Sequence, residues 1–180
     1  MQKFWSSVWE ILEVVLISVA TVFIIRTFLA QPFLVSGASM EPTFHDGNYL
    51  IVDEITYRFR EPQRGEVVVF RYPKERKTFF IKRIIGLPND RVIIQQNKLR
   101  LFSNGKEIIL DEDYLKDSAS TAGSVNLELG PDQYFVLGDN RYNSFDSRNW
   151  GPIARKDIIG IVRLRLLPIK QIGIVENPSY

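Results

Sequence analysis

A lysine surrounded by apolar residues is the most unusual chemical feature of this chain. Lys82 lies in the run FFIKRIIG, where strand alternation places Phe80 and Ile84 on its face. Burial disfavours the charged form of a lysine, and a neutral amine can take a proton from a serine hydroxyl. The alternative interpretation is that Lys82 or Arg83 extends its charged end to solvent from a sheet edge. The 180 residues include no cysteine and one histidine, His45, which excludes thiol nucleophiles and metal sites built from His and Cys.

Three polar runs are hard to explain by packing alone. They are SGASMEPT at residues 36–43, KRIIGLPND at residues 82–90 and GDNRYNSFDSRNWG at residues 138–151. The last could be a calcium loop, but an EF-hand needs an oxygen ligand where Arg141 stands and a glutamate where Trp150 stands. We therefore predict no metal site and no cofactor.

Composition and charge narrow the class of protein further. The chain has 45% apolar residues and a net charge of +2, from 23 basic and 21 acidic residues without a block of one sign. A chain of this length forms one domain with an ample core and has room for a small insertion. The even charge distribution argues against a nucleic-acid partner.

The elements that must position these residues are mostly short strands. Runs rich in Val, Ile, Phe and Tyr recur between turn signals. They are residues 48–53, 66–72, 78–85, 91–95, 98–102, 107–110, 133–137 and 158–167. Asn104-Gly105 predicts a tight hairpin, and residues 111–123 predict a polar surface loop or one weak helical turn. The pattern is typical of a mainly β fold with antiparallel sheets, with a small insertion at about residues 90–132.

The N-terminal segment has the composition of a membrane anchor. The mostly apolar run without a charged residue, residues 14–25, is shorter than the roughly 20 residues needed to span a bilayer. Continuing past Arg26 to Phe33 supplies the length, and Trp5 and Trp9 are suited to the membrane interface. A buried core helix and a cleaved signal peptide are the alternatives. We predict one transmembrane helix in residues 1–30, followed by a β domain in residues 31–180.

Taken together, these blocks resemble bacterial type I signal peptidases, or leader peptidases. The match covers nearly the whole chain in order: the apolar segment, PF-x-V, SMEPT, RGEVVVF, KRIIGLPND and GDNRYNSFDSR. The resemblance implies a membrane-anchored serine endopeptidase that removes signal peptides from exported preproteins. It also implies a single-pass protein of the bacterial cytoplasmic (inner) membrane, with its catalytic domain on the extracytoplasmic side and lipid and signal peptides as partners.

The resemblance assigns roles to individual residues. It implies that Ser39 is the nucleophile, that Lys82 is its general base and that Ser144 hydrogen-bonds the lysine amine. Three further residues would support the site: Asp139, Asp146 and Arg148, the last two as an ion pair. We interpret His45 as a loop histidine near the membrane surface, not as the partner of Ser39.

The run before the nucleophile is expected to form the oxyanion hole. The Ser39 amide can donate to the developing oxyanion, and Gly37 allows close backbone approach. In some family members, a serine two positions before the nucleophile supplies the second hydrogen-bond donor to the oxyanion. This chain has Gly37 at that position and Ser36 one position earlier, so the resemblance does not identify its second donor. We expect Met40 to face lipid or substrate, and Asn89, which replaces a glycine of the family pattern, to tolerate positive φ.

The substrate is expected to bind as an added strand, with small residues at its first and third positions before the cut. Phe33, Val35 and Ile81 are our candidates for lining the pockets that hold them. The main alternative function is a catalytically silent, membrane-anchored β domain that binds exported chains. Two other serine-lysine classes fit less well. SOS-response repressors begin with a helix-turn-helix domain, whereas this chain begins with an apolar segment. Penicillin-recognising enzymes use an SxxK motif at the start of a helix, but the SxxK pattern at residues 103–106 coincides with the predicted hairpin turn.

Overall fold

One N-terminal helix precedes a part of the chain built mostly of antiparallel strands. The computed structural model describes residues 2–24, 30–115 and 120–178. The helices are α1 Gln2–Ile24, α2 Thr56–Phe59 and α3 Ser147–Trp150. The strands are β1 Ala30–Leu34, β2 Tyr49–Asp53, β3 Val67–Tyr72, β4 Glu75–Gly86, β5 Arg91–Gln95, β6 Lys98–Ser103, β7 Lys106–Ile108, β8 Val125–Glu128, β9 Gln133–Leu137, β10 Ile153–Ala154, β11 Ile158–Leu167 and β12 Gly173–Ile174. The prediction of a mainly β, antiparallel fold is confirmed.

The larger sheet positions the residues predicted to do chemistry. Within the described residues it has eight strands in the order β1-β2-β11-β3-β4-β9-β10, with β12 paired to β11. Strand β4 lies near the middle of this sheet, where Lys82 is opposite Val68 and Arg83 is opposite Val67 of β3. Because side chains alternate along a strand, the two cations point to opposite faces.

A smaller sheet is formed by β7-β6-β5-β8. Its apolar side chains, such as Val92 and Leu101, pack against Ile85 of β4 and Phe135 of β9 in one buried cluster. Asn104 and Gly105 join β6 to β7 with φ of 50° and 75°, so the hairpin prediction is confirmed. This sheet lies within residues 91–128, and its status as an insertion stays a prediction.

The N-terminal segment differs from the predicted anchor. Helix α1 ends at Ile24, and the expected continuation to Phe33 is wrong because Ala30–Leu34 is a strand paired with β2 along its whole length. In the described part of the chain, no helix is both long enough and apolar enough to cross a bilayer. Helix α1 has 23 residues and contains Glu10 and Glu13, which confine its apolar part to its C-terminal half. Arg26 and the side chain of Trp5 lie outside the described residues, and the division at residues 30 and 31 stays a prediction.

Candidate active site

Strand β4 carries both of its central cations in the interior. Lys82 is 4% exposed and Arg83 is 1% exposed. The prediction of a buried lysine is therefore confirmed, and the alternative that Lys82 or Arg83 reaches solvent from a sheet edge is wrong. A buried cation is costly unless it is paired or loses its proton, and the two residues differ in this respect.

Lys82 is held against Ser39 in an environment that disfavours its charged form. Lys82 Nζ lies 2.8 Å from Ser39 Oγ and donates to the Ile81 carbonyl at 2.9 Å. Burial lowers the pKa of Lys82 from its ordinary value of 10.5 to about 8, although the negative charges of Asp146 and Asp139 act in the opposite direction. A substantial fraction of Lys82 is thus a neutral amine in mildly alkaline solution.

The turn that carries Ser39 connects β1 to β2 and is fixed from both sides. The Asn140 N–H donates to the Ser39 carbonyl at 3.0 Å, and Asn140 Nδ2 donates to the Ala38 carbonyl at 3.1 Å. On the other side, Met40 is 1% exposed and packs in a core cluster with Phe44. The expectation that Met40 faces lipid or substrate is wrong, because its side chain anchors the turn in the core.

The residues predicted to form the oxyanion hole lie in the same turn. Gly37 has φ +91°, and its N–H donates to Asp46 Oδ1 at 2.7 Å. That N–H already has an acceptor, which weakens its candidacy as the second oxyanion donor. Ser36 and Ser39 both line the open cleft beside Lys82, and their roles as donors stay predictions.

Ser144 lies close to the Ser39 turn but does not hydrogen-bond the lysine as predicted. Its Oγ is buried and has no hydrogen-bond partner within the described residues, so the predicted hydrogen bond to the Lys82 amine is wrong for this structure. A Cβ added to Gly138 would lie 2.2 Å from Ser144 Oγ and 2.5 Å from the Ser39 carbonyl oxygen. Only glycine therefore lets Ser144 and the Ser39 backbone approach each other this closely, and a role for Ser144 in orienting the base stays a prediction.

The loop between β9 and α3, residues 138–146, brings the predicted supporting residues together, and we call it the site loop. Asp146 accepts from Arg148 Nε and Nη2 at 2.8 Å each, so the predicted ion pair is confirmed. Asp146 also accepts the Gly138 N–H at 3.0 Å and caps α3. Arg148 Nη1 donates to the Ala122 carbonyl at 3.0 Å.

Asp139 has a partner that the sequence did not reveal. Arg83 binds it through two contacts, Nε to Oδ1 at 2.9 Å and Nη2 to Oδ2 at 2.6 Å, and also donates to the Gly65 carbonyl at 2.8 Å. Thr43 Oγ1 donates to Asp139 at 2.6 Å. This buried pair joins β4, the site loop and the Ser39 turn, and the only sequence signal for it was an arginine in an apolar run.

A cleft of about 510 Å³ opens beside Ser39 and Lys82. Its lining includes the three residues predicted for substrate pockets, Phe33, Val35 and Ile81. It also includes residues that were not predicted: Leu34, Leu50, Val69, Thr78, Phe79, Phe80 and Phe145. Phe33 of β1 and Phe79 of β4 approach edge to face with ring centroids 5.8 Å apart. His45, by contrast, lies 3.3 Å from Glu41 through its Nδ1 and is not part of this lining.

Two backbone edges border the cleft. Among the described strands, β1 pairs only with β2. The pairing of β4 with β9 begins at Arg83, so the preceding residues of β4 have β3 on one side and no described strand on the other. An apolar cleft between two such edges is suited to an extended peptide.

Comparisons with known proteins all find members of one family. The sequence profile of signal peptidase, peptidase S26, matches residues 8–167. A probable signal peptidase I-2 from Synechocystis sp. is 41% identical over 165 residues, which cover 86% of this chain and 71% of that protein. Signal peptidase I P from Bacillus subtilis subsp. natto is 38% identical over 177 residues, which cover 93% of each chain. A crystal structure of a signal peptidase I from Enterococcus faecalis V583 has a TM-score of 0.46 at 27% identity and covers 57% of this chain and 97% of its own. The profile and the two sequence relatives show that the chain belongs to the signal peptidase family, peptidase S26.

Proposed function

We propose that this protein is a serine endopeptidase that removes signal peptides from exported preproteins, with Ser39 as nucleophile and Lys82 as general base. The observation that carries the proposal is the 2.8 Å contact between Ser39 Oγ and the buried Lys82 Nζ. A pKa near 8 makes the amine a usable base, because a catalytic base works best when its pKa lies near the working pH.

The reaction follows from that contact. Neutral Lys82 accepts the Ser39 hydroxyl proton while Oγ bonds to the scissile carbonyl carbon, and the resulting ammonium gives a proton to the leaving amine as the C–N bond breaks. The acyl group is then on Ser39. A water molecule that gives its proton to Lys82 attacks the ester, and Ser39 regains its proton as the signal peptide leaves.

The substrate is proposed to bind as an extended strand between β1 and β4. The unpaired edges of both strands can hydrogen-bond a peptide backbone on each side. The lining side chains of Phe33, Val35 and Ile81 make the cleft apolar, and we propose that they form shallow pockets for small residues. This arrangement supports cleavage after segments with small side chains at the first and third positions before the cut.

Attachment to the extracytoplasmic face of the bacterial cytoplasmic membrane is also part of the proposal. Apolar side chains of α1, such as Val14, Leu16 and Phe23, are exposed. In the larger sheet, Leu34 of β1, at the border of the cleft, and Leu164 of β11 are exposed as well. Exposed apolar surface of this kind is suited to a lipid environment. Flotation with phospholipid vesicles tests this point, and protein that stays at the bottom of the gradient would contradict it.

The enzymatic proposal is tested with a purified precursor that carries an Ala-x-Ala site. We expect the wild type to cut it at that site, which sequencing of the new N-terminus would identify. Ser39→Ala and Lys82→Met should abolish cleavage while circular dichroism shows an unchanged fold. His45→Asn is the matched control and should cut normally. Wild-type protein that binds the precursor without cutting it would instead support the catalytically silent alternative.

A further inference from the structure

A polar segment that follows β7 and precedes β8 of the smaller sheet contacts the site, although the function proposed above gives it no role. It consists of residues 111–115 and 120–122, and we call it the strap. Nothing in its sequence suggested more than a surface loop. In the structure, however, three of its side chains bind buried arginines: Glu112, Tyr114 and Thr121.

The first of these arginines is Arg141 of the site loop. Arg141 forms an ion pair with Glu112 in which both side chains are buried. Arg141 Nη1 also donates to Thr121 Oγ1 at 2.7 Å, and Nη2 donates to the Tyr114 hydroxyl at 3.3 Å. Its Nε donates to the Gly138 carbonyl at 3.1 Å. One guanidinium thus joins both parts of the strap to the first residue of the site loop.

The second arginine is Arg83, the neighbour of Lys82 on β4. Its guanidinium carbon lies 4.0 Å from the centre of the Tyr114 ring, which is within the range of a cation–π contact. The edge of the same guanidinium binds Asp139 and the Gly65 carbonyl. Tyr114 therefore covers the buried pair that joins β4 to the site loop.

Both contacts lie one residue from groups that determine the geometry of the proposed dyad. Arg141 follows Asn140, which holds the Ser39 and Ala38 carbonyls, and Arg83 follows Lys82. The smaller sheet already packs against the larger one through a shared apolar cluster. Burying a charged pair is a weak way to gain stability, so these two arginine contacts are better explained by a need for accurate positioning.

We infer that the strap is a positioning element of the active site, in which Glu112 and Tyr114 hold the Ser39–Lys82 pair in register through Arg141 and Arg83. The inference rests on the proposed function. It predicts that loss of either strap contact slows the chemical step and leaves substrate binding intact, because the cleft lining includes no strap residue that the structure describes.

The test compares kcat and KM for an Ala-x-Ala peptide in three strap variants and one control. Glu112→Gln and Tyr114→Leu should lower kcat by on the order of 10- to 100-fold, since misplacement of reacting groups by about 1 Å has effects of that size. KM should change by less than about threefold. Tyr114→Phe keeps the ring over Arg83 and should retain kcat within about threefold. The control is Glu107→Gln, which breaks an exposed ion pair with Arg100 in the smaller sheet and should change neither constant.

Thermal unfolding of each variant separates positioning from stability. All rates are measured well below the melting temperature of the variant concerned. Strap variants that melt earlier yet keep the wild-type kcat, or that raise KM alone, would overturn the inference. Should Tyr114→Leu fail to fold, Glu112→Gln decides alone because it preserves side-chain shape. If the wild-type protein does not cut the peptide, the proposed function is refuted. If the wild type and the strap variants cut it equally well, only the inference about the strap is refuted.

Discussion

Acidification should switch Lys82 from a neutral amine to an ammonium and so stop the reaction. The ammonium has no lone pair and cannot accept the Ser39 proton. Burial lowers the pKa of Lys82 to about 8, so the active form is lost as pH falls through this value. Below it, kcat/KM should fall tenfold for each pH unit, with the slope of a single proton.

The size of the effect distinguishes a buried base from an ordinary lysine. With a pKa of about 8, roughly one Lys82 in ten is neutral at pH 7. With the ordinary value of 10.5, about one in 3,000 would be neutral. Burial therefore increases the concentration of the active form about 300-fold at pH 7, which corresponds to roughly 3 kcal/mol.

The assay follows hydrolysis of a fluorogenic Ala-x-Ala peptide from pH 5.5 to 10.5 under kcat/KM conditions. We expect the acid limb near pH 8 in the wild type. The same limb should remain in His45→Asn, because an imidazole is the other side chain that commonly titrates near this range. A limb near 10.5, or one that disappears with His45, would refute the assignment of Lys82 as the base.

Three further substitutions have outcomes that the structure determines. Lys82→Met removes a buried ammonium and should raise the free energy of unfolding by up to roughly 3 kcal/mol at pH 7. In urea denaturation this gain should shrink between pH 8 and 10.5, where the wild type loses the proton only in its folded state; a constant gain would contradict it. Asp139→Asn leaves Arg83 without its counter-charge and should cost about 3–5 kcal/mol in the same measurement, and a loss below about 1 kcal/mol would argue against a fully buried pair. Gly138→Ala places a Cβ 2.5 Å from the carbonyl of the proposed nucleophile and should lower processing by about 100-fold, while the control Gly173→Ala, which has open space around it, should process normally.

The strands could be predicted where local pattern and tertiary packing agree. The runs at β5 and β9 match their observed bounds because β-branched and aromatic residues lie between clear turn signals. Strand β1 was missed because Pro32 and the preceding apolar residues resemble the end of a membrane helix. Strand β8, with the sequence VNLE, has too few residues to show a period.

The proximity of Ser39 to Lys82 and the Asp146–Arg148 ion pair match the prediction, whereas other supporting contacts were not predicted. The family resemblance located Ser39 and Lys82, and the apolar surroundings of Lys82 indicated its burial. The partner of Arg83 is 56 positions away in the chain, and no local pattern specifies such a contact. Met40 was expected at the surface because its sequence neighbours are polar, whereas its burial depends on the core beneath the turn. Glu112 lies in a polar run, and its role is visible only when the fold brings it to Arg141.

The alternation of β4 makes folding accuracy a condition of reactivity. A shift of this strand by one position in one direction would bring Arg83 to the serine and Ile84 to Asp139. A shift in the other direction would bring Lys82 to Asp139 and Ile81 to the serine. A guanidinium does not lose its proton at any physiological pH, and an ammonium cannot form the forked contact that the carboxylate receives now. Misregistered molecules would thus lack both hydrolytic capacity and their central ion pair. A cell that makes such an enzyme would thereby be protected from partly active copies, because a wrongly paired strand would not set the amine against the hydroxyl.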